Sequence, residues 1–272
     1  MTTPDSHTSR RALILFTSDP VVEARRKHLA GSPEQCRAIY RAFVKHILGH
    51  ALVAADRMDF DLIIVTDRSD VPNIHRTMNA CVSVDSGKTG IASPTTVMIR
   101  EHRGTDLGAK LHHALKDAFG QGYEQVVVIG NDCLDVTPEL LEQAFSALEE
   151  QDAVIGPAQD GGFYLLGLTG YTAELFEGVR WCTASVLGRI RENLFRQNRR
   201  HAELPLLKDI DTPADLLRWL QSSQARRQRC LCMILLSILC LHRIALHYRP
   251  LFSRKIQCHR RRWQLPPPSL MD

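Results

Sequence analysis

The residues best suited to chemistry in this chain are aspartates. Asp132 and Asp135 follow Gly130 and Asn131 at the end of an apolar run, Val126 to Ile129. Four consecutive apolar residues, three of them Val, fit a strand covered on both faces, as in a parallel sheet. The carboxyl edge of such a strand is where open α/β sheets bind ligands. Carboxylates placed there can hold a hard divalent cation, which takes oxygen donors and bridges to substrate phosphates. Capping of turns and of the next helix is the competing role for both, since Thr137-Pro138-Glu139 reads as a helix start. Further along, Asp209 and Asp211 alternate around Ile210, so an extended backbone turns both to one side. They could complete a cation site with Asp132. Asp160-Gly161-Gly162 sets a carboxylate beside two glycines that let backbone approach a ligand. A hairpin turn using glycine only for its positive φ accounts for that phrase equally well. Arg25, Arg26 and Lys27 follow the first strand, where positive charge could neutralise phosphates. A solvated charge run entering a helix is the plainer account of the same three residues.

These groups need elements to position them. Ala12 to Thr17 and Asp61 to Thr66 read as strands, each a continuous apolar run. Ser18 to His28 reads as a loop. Ser32-Pro33-Glu34 starts a helix that keeps its apolar period through about Ala55. Residues 67–94 are weakly patterned. Gly87-Lys88-Thr89 looks like the end of a phosphate loop, but the required first glycine falls at Val82 and no long apolar helix follows, so it is rejected. Thr96 to Arg100 is a third strand, and Gly104 to Gly108 opens a helix ended by Gly120 and Gly122. A helix from Pro138 carries Leu140, Leu141, Phe145 and Leu148 on one face. Ala153 to Gly156 and Phe163 to Leu168 are strands around a turn. A helix with Thr183 as candidate N-cap follows. Thr212-Pro213 starts a last helix, with Asp215 in its first turn, where it complements the helix dipole. Alternation of strands and helices makes an α/β domain with a mostly parallel sheet, a single unit over 12–221.

Composition allows this. The chain has 272 residues, 44% hydrophobic, enough for a substantial core. Of 34 Lys and Arg, 10 lie from Gln221 onward with one acidic residue, so the body carries −5 and the tail +9. A body of that sign gives no reason to propose nucleic acid. None of the eight Cys forms a C-x-x-C pair, which leaves no zinc or dithiol signature. Residues 1–11 are polar, without the apolar core of a secretory signal, and are expected to be disordered; a cytoplasmic protein with reduced thiols is expected.

Three phrases resemble the selenodomain-associated transferase family, a glycosyltransferase-like group of the nucleotide-diphospho-sugar transferase (GT-A) superfamily. They are Gly130-Asn131-Asp132-Cys133, Gly156-Pro157-Ala158-Gln159-Asp160-Gly161-Gly162-Phe163-Tyr164 and Asp209-Ile210-Asp211-Thr212-Pro213-Ala214-Asp215-Leu216. Asp106-Leu107-Gly108 and Trp181-Cys182-Thr183 fit as well, so the similarity runs from about Ala12 to Leu220. The resemblance implies a Rossmann-like GT-A sandwich with helices on both faces of the sheet. It implies a nucleoside diphosphate or triphosphate moiety bound with Mg²⁺ or Mn²⁺. Asp132 would be the metal-binding aspartate and Asp211 the late second ligand. Gly161 and Gly162 would border donor or acceptor, Asp160 would orient the acceptor or act as base, and Arg26 and Lys27 would hold phosphates. Two departures stand out. Leu134 replaces the usual Pro. The first segment, which in the family runs to a Gly and a Lys-Thr-Arg-Leu phrase, has Glu23 and Arg26-Lys27-His28-Leu29 in the aligned places. A side chain in place of that glycine can keep phosphate away. The expected activity is therefore metal-dependent transfer from a nucleotide-activated donor to an unidentified acceptor. Glycosyl transfer comes first, with nucleotidyl transfer or an inactive nucleotide-binding protein as alternatives.

From residue 222 to 272 the texture changes to a basic extension. Cys230 to Leu241 is an apolar run too short for a bilayer, which takes about 20 residues. Packing on the body, or no structural role, ranks above peripheral contact with an anionic membrane.

Overall fold

The computed structural model describes residues 10–85 and 96–239. The polar N-terminus before Arg10, the Gly87-Lys88-Thr89 phrase and the tail phrases Arg260-Arg261-Arg262 and Pro266-Pro267-Pro268 lie outside these residues. Seven strands form one sheet: β1 (Arg11–Phe16), β2 (Asp61–Thr66), β3 (Val97–Glu101), β4 (Gln125–Ile129), β5 (Ala153–Pro157), β6 (Phe163–Leu168) and β7 (His201–Glu203). Their spatial order is β3-β2-β1-β4-β6-β5-β7. Only β6 runs against its neighbours, antiparallel to both β4 and β5. The mostly parallel sheet expected from the continuous apolar runs is thus present.

The helices are α1 (Pro20–Lys27), α2 (Pro33–Met58), α3 (Val71–Asp85), α4 (Leu107–Gly120), α5 (Pro138–Ala147), α6 (Val186–Arg196), α7 (Pro213–Gln221), α8 (Ser223–Arg227) and α9 (Arg229–Ile238). Strand alternation sends side chains to two cores. Leu13 and Leu15 of β1, with Val127 and Ile129 of β4, meet Ile47, Leu48, Leu141 and Phe145 of α2 and α5. Ala12 and Ile14, with Val126 and Val128, meet Leu111, Leu115 and Ile190 of α4 and α6. Both faces of the sheet are therefore covered, which is why β1, β2 and β4 are apolar at nearly every position.

Four elements differ from the sequence expectations. The segment expected as a loop at 18–28 is helical from Pro20. Asp19 accepts a hydrogen bond from the Val21 N–H and Pro20 takes the first turn. That Asp-Pro pair is the same start signal found at Ser32-Pro33, Thr137-Pro138 and Thr212-Pro213. Helix α3 occupies part of the weakly patterned 67–94 region. The three-residue β7 pairs in parallel with β5 although two of its residues, His201 and Glu203, are polar. The helix after Trp181 is headed by Ser185 rather than Thr183.

In the tail, Leu231, Cys232, Leu235 and Leu236 of α9 are buried in a third core with Ile39, Tyr40 and Phe43 of α2 and Leu216, Trp219 and Leu220 of α7. Of the roles open to the apolar run, packing on the body is the one residues 229–239 adopt. Among the described residues no helix is long and apolar enough to cross a membrane.

Candidate functional site

Strand β4 is buried along its whole length and delivers Asp132 at its carboxyl end. The Ile210 N–H donates to the Asp132 carbonyl at 3.0 Å, and the Ile210 side chain is sunk in the third core. This one backbone bond brings the late Asp209-Ile210-Asp211 phrase beside the β4 loop. Thr212 then heads α7: its hydroxyl accepts from the Asp215 N–H, and the Asp215 carboxylate accepts from the Thr212 N–H. Such a capping box fixes where the chain leaves the extended phrase.

Helix α1 supplies the cation. The Lys27 ammonium lies 2.6 Å from Asp132 Oδ2 and 2.7 Å from Asp211 Oδ1. Asp132 and Asp211, the two residues expected to share a cation, therefore converge on one point. The lysine side chain is 7% exposed, the carboxylates 31% and 46%. Burial alone would depress the Lys27 ammonium, but Asp132 and Asp211 overcome it and hold its pKa above the ordinary value. Burial likewise works against Asp132, yet Lys27 keeps that carboxyl below its usual range.

Asp209 belongs to the same cluster. Its carboxyl is pushed up to about 8, first by burial and then by the charges of Asp132, Asp160 and Asp211. Its Oδ1 is buried without a hydrogen-bond partner. The charged form of Asp209 is thus disfavoured even with Lys27 in place. The alternation around Ile210 pointed to Asp209 in the sequence, but only its burial and crowding distinguish it from a solvated neighbour of Asp211.

The other expected site residues have more structural surroundings. Arg26 is mostly exposed and pairs with the buried Glu23 at 2.9 Å, though its charge still helps to depress Asp132. Asp160 accepts from the Gly162 N–H at 2.8 Å and so closes its own turn. The Ala158 N–H donates to the Gly162 carbonyl across that turn, which makes it a hairpin between β5 and β6. Gly161 has φ +88°, and its carbonyl accepts from the Leu187 N–H. Asp135 accepts from Trp219 Nε1 at 2.9 Å and ties the β4 loop to α7. The imidazoles of His46 and His50 on α2 bond the Leu134 and Val136 carbonyls. Leu134 itself is fully buried against α2 and α7. A cleft of about 290 Å³ lined by Arg25, His28, Ser32 and Arg37 opens between α1 and α2 and does not include the aspartates.

Do these residues suit a divalent cation? The donors are hard carboxylate oxygens, the Lys27 ammonium is a stand-in positive charge at their focus, and the Asp209 oxygen is orphaned beside them. Among the described residues no group of three or more His, Cys, Asp or Glu is placed to hold a metal ion by itself. Mg²⁺ does not need one, because it binds through one or two carboxylates with phosphates and water filling the rest. The residues fit.

Comparison with known proteins adds to this geometry. Residues 54–183 match the family described as "Uncharacterized protein conserved in bacteria (DUF2064)". That region includes Asp132 and the 156–164 phrase, but not Lys27 or Asp211. Comparison with curated proteins gives no match. Among solved structures, a Desulfovibrio desulfuricans G20 protein proposed to be a nucleotide-diphospho-sugar transferase is similar, at 28% identity and TM-score 0.64. The match covers 85% of this chain and 99% of that one. The 4-diphosphocytidyl-2C-methyl-D-erythritol synthase of Anaerococcus prevotii DSM 20548 matches at 12% identity and TM-score 0.49, over 79% of this chain and 99% of that one. CMP:2-keto-3-deoxy-manno-octonic acid synthetase complexed with CTP matches at 11% identity and TM-score 0.48, over 77% and 96%. Residues 54–183 thus match the DUF2064 model, and the chain is similar in fold to a protein proposed to be a nucleotide-diphospho-sugar transferase, the group that its phrases resemble.

Proposed function

We propose that this chain is a divalent-cation-dependent transferase acting on a nucleotide-activated donor, with a glycosyl unit as the group transferred. The observation that supports it is the meeting of Asp132 and Asp211 within 2.7 Å of a single point. They arrive there from distant parts of the sequence, at the sheet edge where ligands bind. Mg²⁺ or Mn²⁺ held by these two would supply charge neutralisation at the donor phosphates and stabilise the departing diphosphate. Lys27 and Arg26, at the carboxyl end of α1, would add positive charge toward the phosphates. Asp160 lies on the hairpin that rims the cluster, close enough for its charge to reach Asp209. From there it would orient the acceptor or take its proton. The likeness to the Desulfovibrio protein favours a sugar as the transferred group.

One observation favours a second reading, a nucleotide-binding protein without turnover. Glu23, at the place of the glycine in the resembling family, is buried in a formed helix and paired with Arg26. Backbone in that conformation cannot wrap phosphates as a glycine-rich loop does. Isothermal titration of the full chain with nucleoside diphosphates and their sugars, with and without Mn²⁺, tests both. Binding that needs Mn²⁺ and is lost in Asp132→Ala supports the cation site. Binding that ignores Mn²⁺ and survives Asp132→Ala refutes it. Product analysis with radiolabelled nucleotide sugars and nucleoside triphosphates then separates glycosyl transfer, nucleotidyl transfer and binding without turnover.

A further inference from the structure

We infer that Lys27 is a tethered counter-ion: its ammonium bridges Asp132 and Asp211 and must leave before a divalent cation can enter. The inference rests on the cation-dependent reading above and adds to it a competition within the chain.

The geometry leaves no room for both charges. Nζ is at hydrogen-bond distance from one oxygen of each carboxylate, 2.6 and 2.7 Å. Mg²⁺ takes such oxygens at about 2.0–2.1 Å, so an ion bridging them would lie almost on top of the ammonium. Two cations at that separation repel strongly where water is scarce. The lysine is also not there by accident of a flexible surface. Its side chain is 7% exposed, and lysines are rarely so buried unless paired. Without a cation between them, the Asp132 and Asp211 carboxylates would face each other as like charges across that gap. Arg26 acts on Asp132 only from a distance, its own ion pair being with Glu23.

The lysine has the means to leave. It ends α1, and the next residue, His28, is in the left-handed conformation with φ 45° that closes the helix. Its four-carbon stem lets the ammonium swing while α1 stays packed on α2. The Tyr40 hydroxyl, buried without a hydrogen-bond partner and close enough to feel the lysine charge, offers an acceptor beneath the site. Exposed donor phosphates offer another. An arriving cation thus delivers Lys27 to the groups it would bind next.

The consequence is measurable. A ligand that binds only a minor state has its apparent affinity reduced by that state's population. If the lysine occupies the position more than nine-tenths of the time, removing it tightens cation binding by about tenfold or more. The test uses the full chain and Mn²⁺, followed by electron paramagnetic resonance of the free ion and by thermal unfolding in EDTA and in Mn²⁺. Lys27→Met is expected to bind Mn²⁺ about tenfold or more tightly than wild type, to melt lower in EDTA, and to recover with Mn²⁺. Adding Asp211→Asn to Lys27→Met is expected to abolish the gain. Affinity unchanged in Lys27→Met, or a gain that survives Asp211→Asn, overturns the inference. Should Lys27→Met prove too unstable to titrate in EDTA, restoration of folding by Mn²⁺ supports it and failure to restore counts against it. Nucleotide binding by wild type in Mn²⁺ reads the transferase proposal separately, since that binding can succeed while Lys27→Met gains nothing.

Discussion

Alanine at position 161 is expected to destabilise the protein far more than alanine at the adjacent 162, although both glycines sit in the phrase expected to border a substrate. Gly161 has φ +88°, in the left-handed region that costs a residue with a Cβ about 1 kcal/mol or more. A Cβ built there meets main-chain atoms of Ala184, its Cα at 2.7 Å and its carbonyl carbon at 2.8 Å. Backbone just before α6 cannot step aside, because the Leu187 N–H is bonded to the Gly161 carbonyl. Overpacking of this kind costs roughly 1–3 kcal/mol. Together the two effects come to about 3 kcal/mol, or about 6–12 °C in melting temperature for a chain of this size. At Gly162 the nearest atom to an added Cβ is the Asp160 carboxylate at 3.1 Å, a side chain that can turn away. Gly162→Ala is therefore expected to cost less than about 1 kcal/mol. Calorimetric melting of both variants decides it. A Gly161→Ala protein that melts with wild type, or a Gly162→Ala protein that falls as far, would show that the hairpin is not held against α6 as described.

Asp209 gives a pH signature. Its folded pKa of about 8 lies above that of an unfolded aspartate, so it favours the fold below about pH 4 and the advantage is lost as pH rises toward 8. Asp209→Asn is expected to gain stability over wild type as pH goes from 5 to 9, read from urea midpoints; a difference that does not vary with pH refutes the crowding. Asp215 has the opposite sign. Burial works against its carboxylate, but bonds from Thr212, Lys208 and Arg218 win and hold its pKa low. Its contribution is present above about pH 4 and fades as pH falls below that. Thr212→Ala, which removes the cap, is expected to cost about 1 kcal/mol near neutral pH in chemical denaturation. Trp219→Phe leaves the Asp135 carboxylate without its indole donor and is expected to cost about 1–3 kcal/mol in the same assay.

The central sheet was legible because β1, β2 and β4 are covered on both faces and so carry unbroken apolar runs. Helices headed by Ser32, Thr137 and Thr212 announced themselves through the cap residue followed by Pro. Helix α1 carries the same signal at Asp19-Pro20, but its polar content outweighed it. Strand β7 escaped notice for a different reason. It is three residues long and lies at the sheet edge, where His201 and Glu203 need no apolar pattern. In the site, the alternation around Ile210 and the resemblance suggested that Asp211 could join Asp132, and the structure brings both to Lys27. That Lys27 lies between them was not legible, because a loop reading of residues 18–28 gives its side chain no fixed direction. Asp135 looked equivalent to Asp132 in the sequence. Trp219, far along the chain, is what turns Asp135 into a tether for α7.

The bond from Ile210 to Asp132 imposes an order in time. All seven described strands are complete by Glu203, so a nascent polypeptide can assemble the whole sheet before Ile210 has left the ribosome. At that stage Lys27 and Asp132 are already made, yet the second carboxylate is missing. A chain ending in this interval would keep its sheet but lack both Asp211 and the cover that α7 and α9 give to Ile39, Tyr40 and Phe43, so loss of the second carboxylate comes with an exposed apolar face.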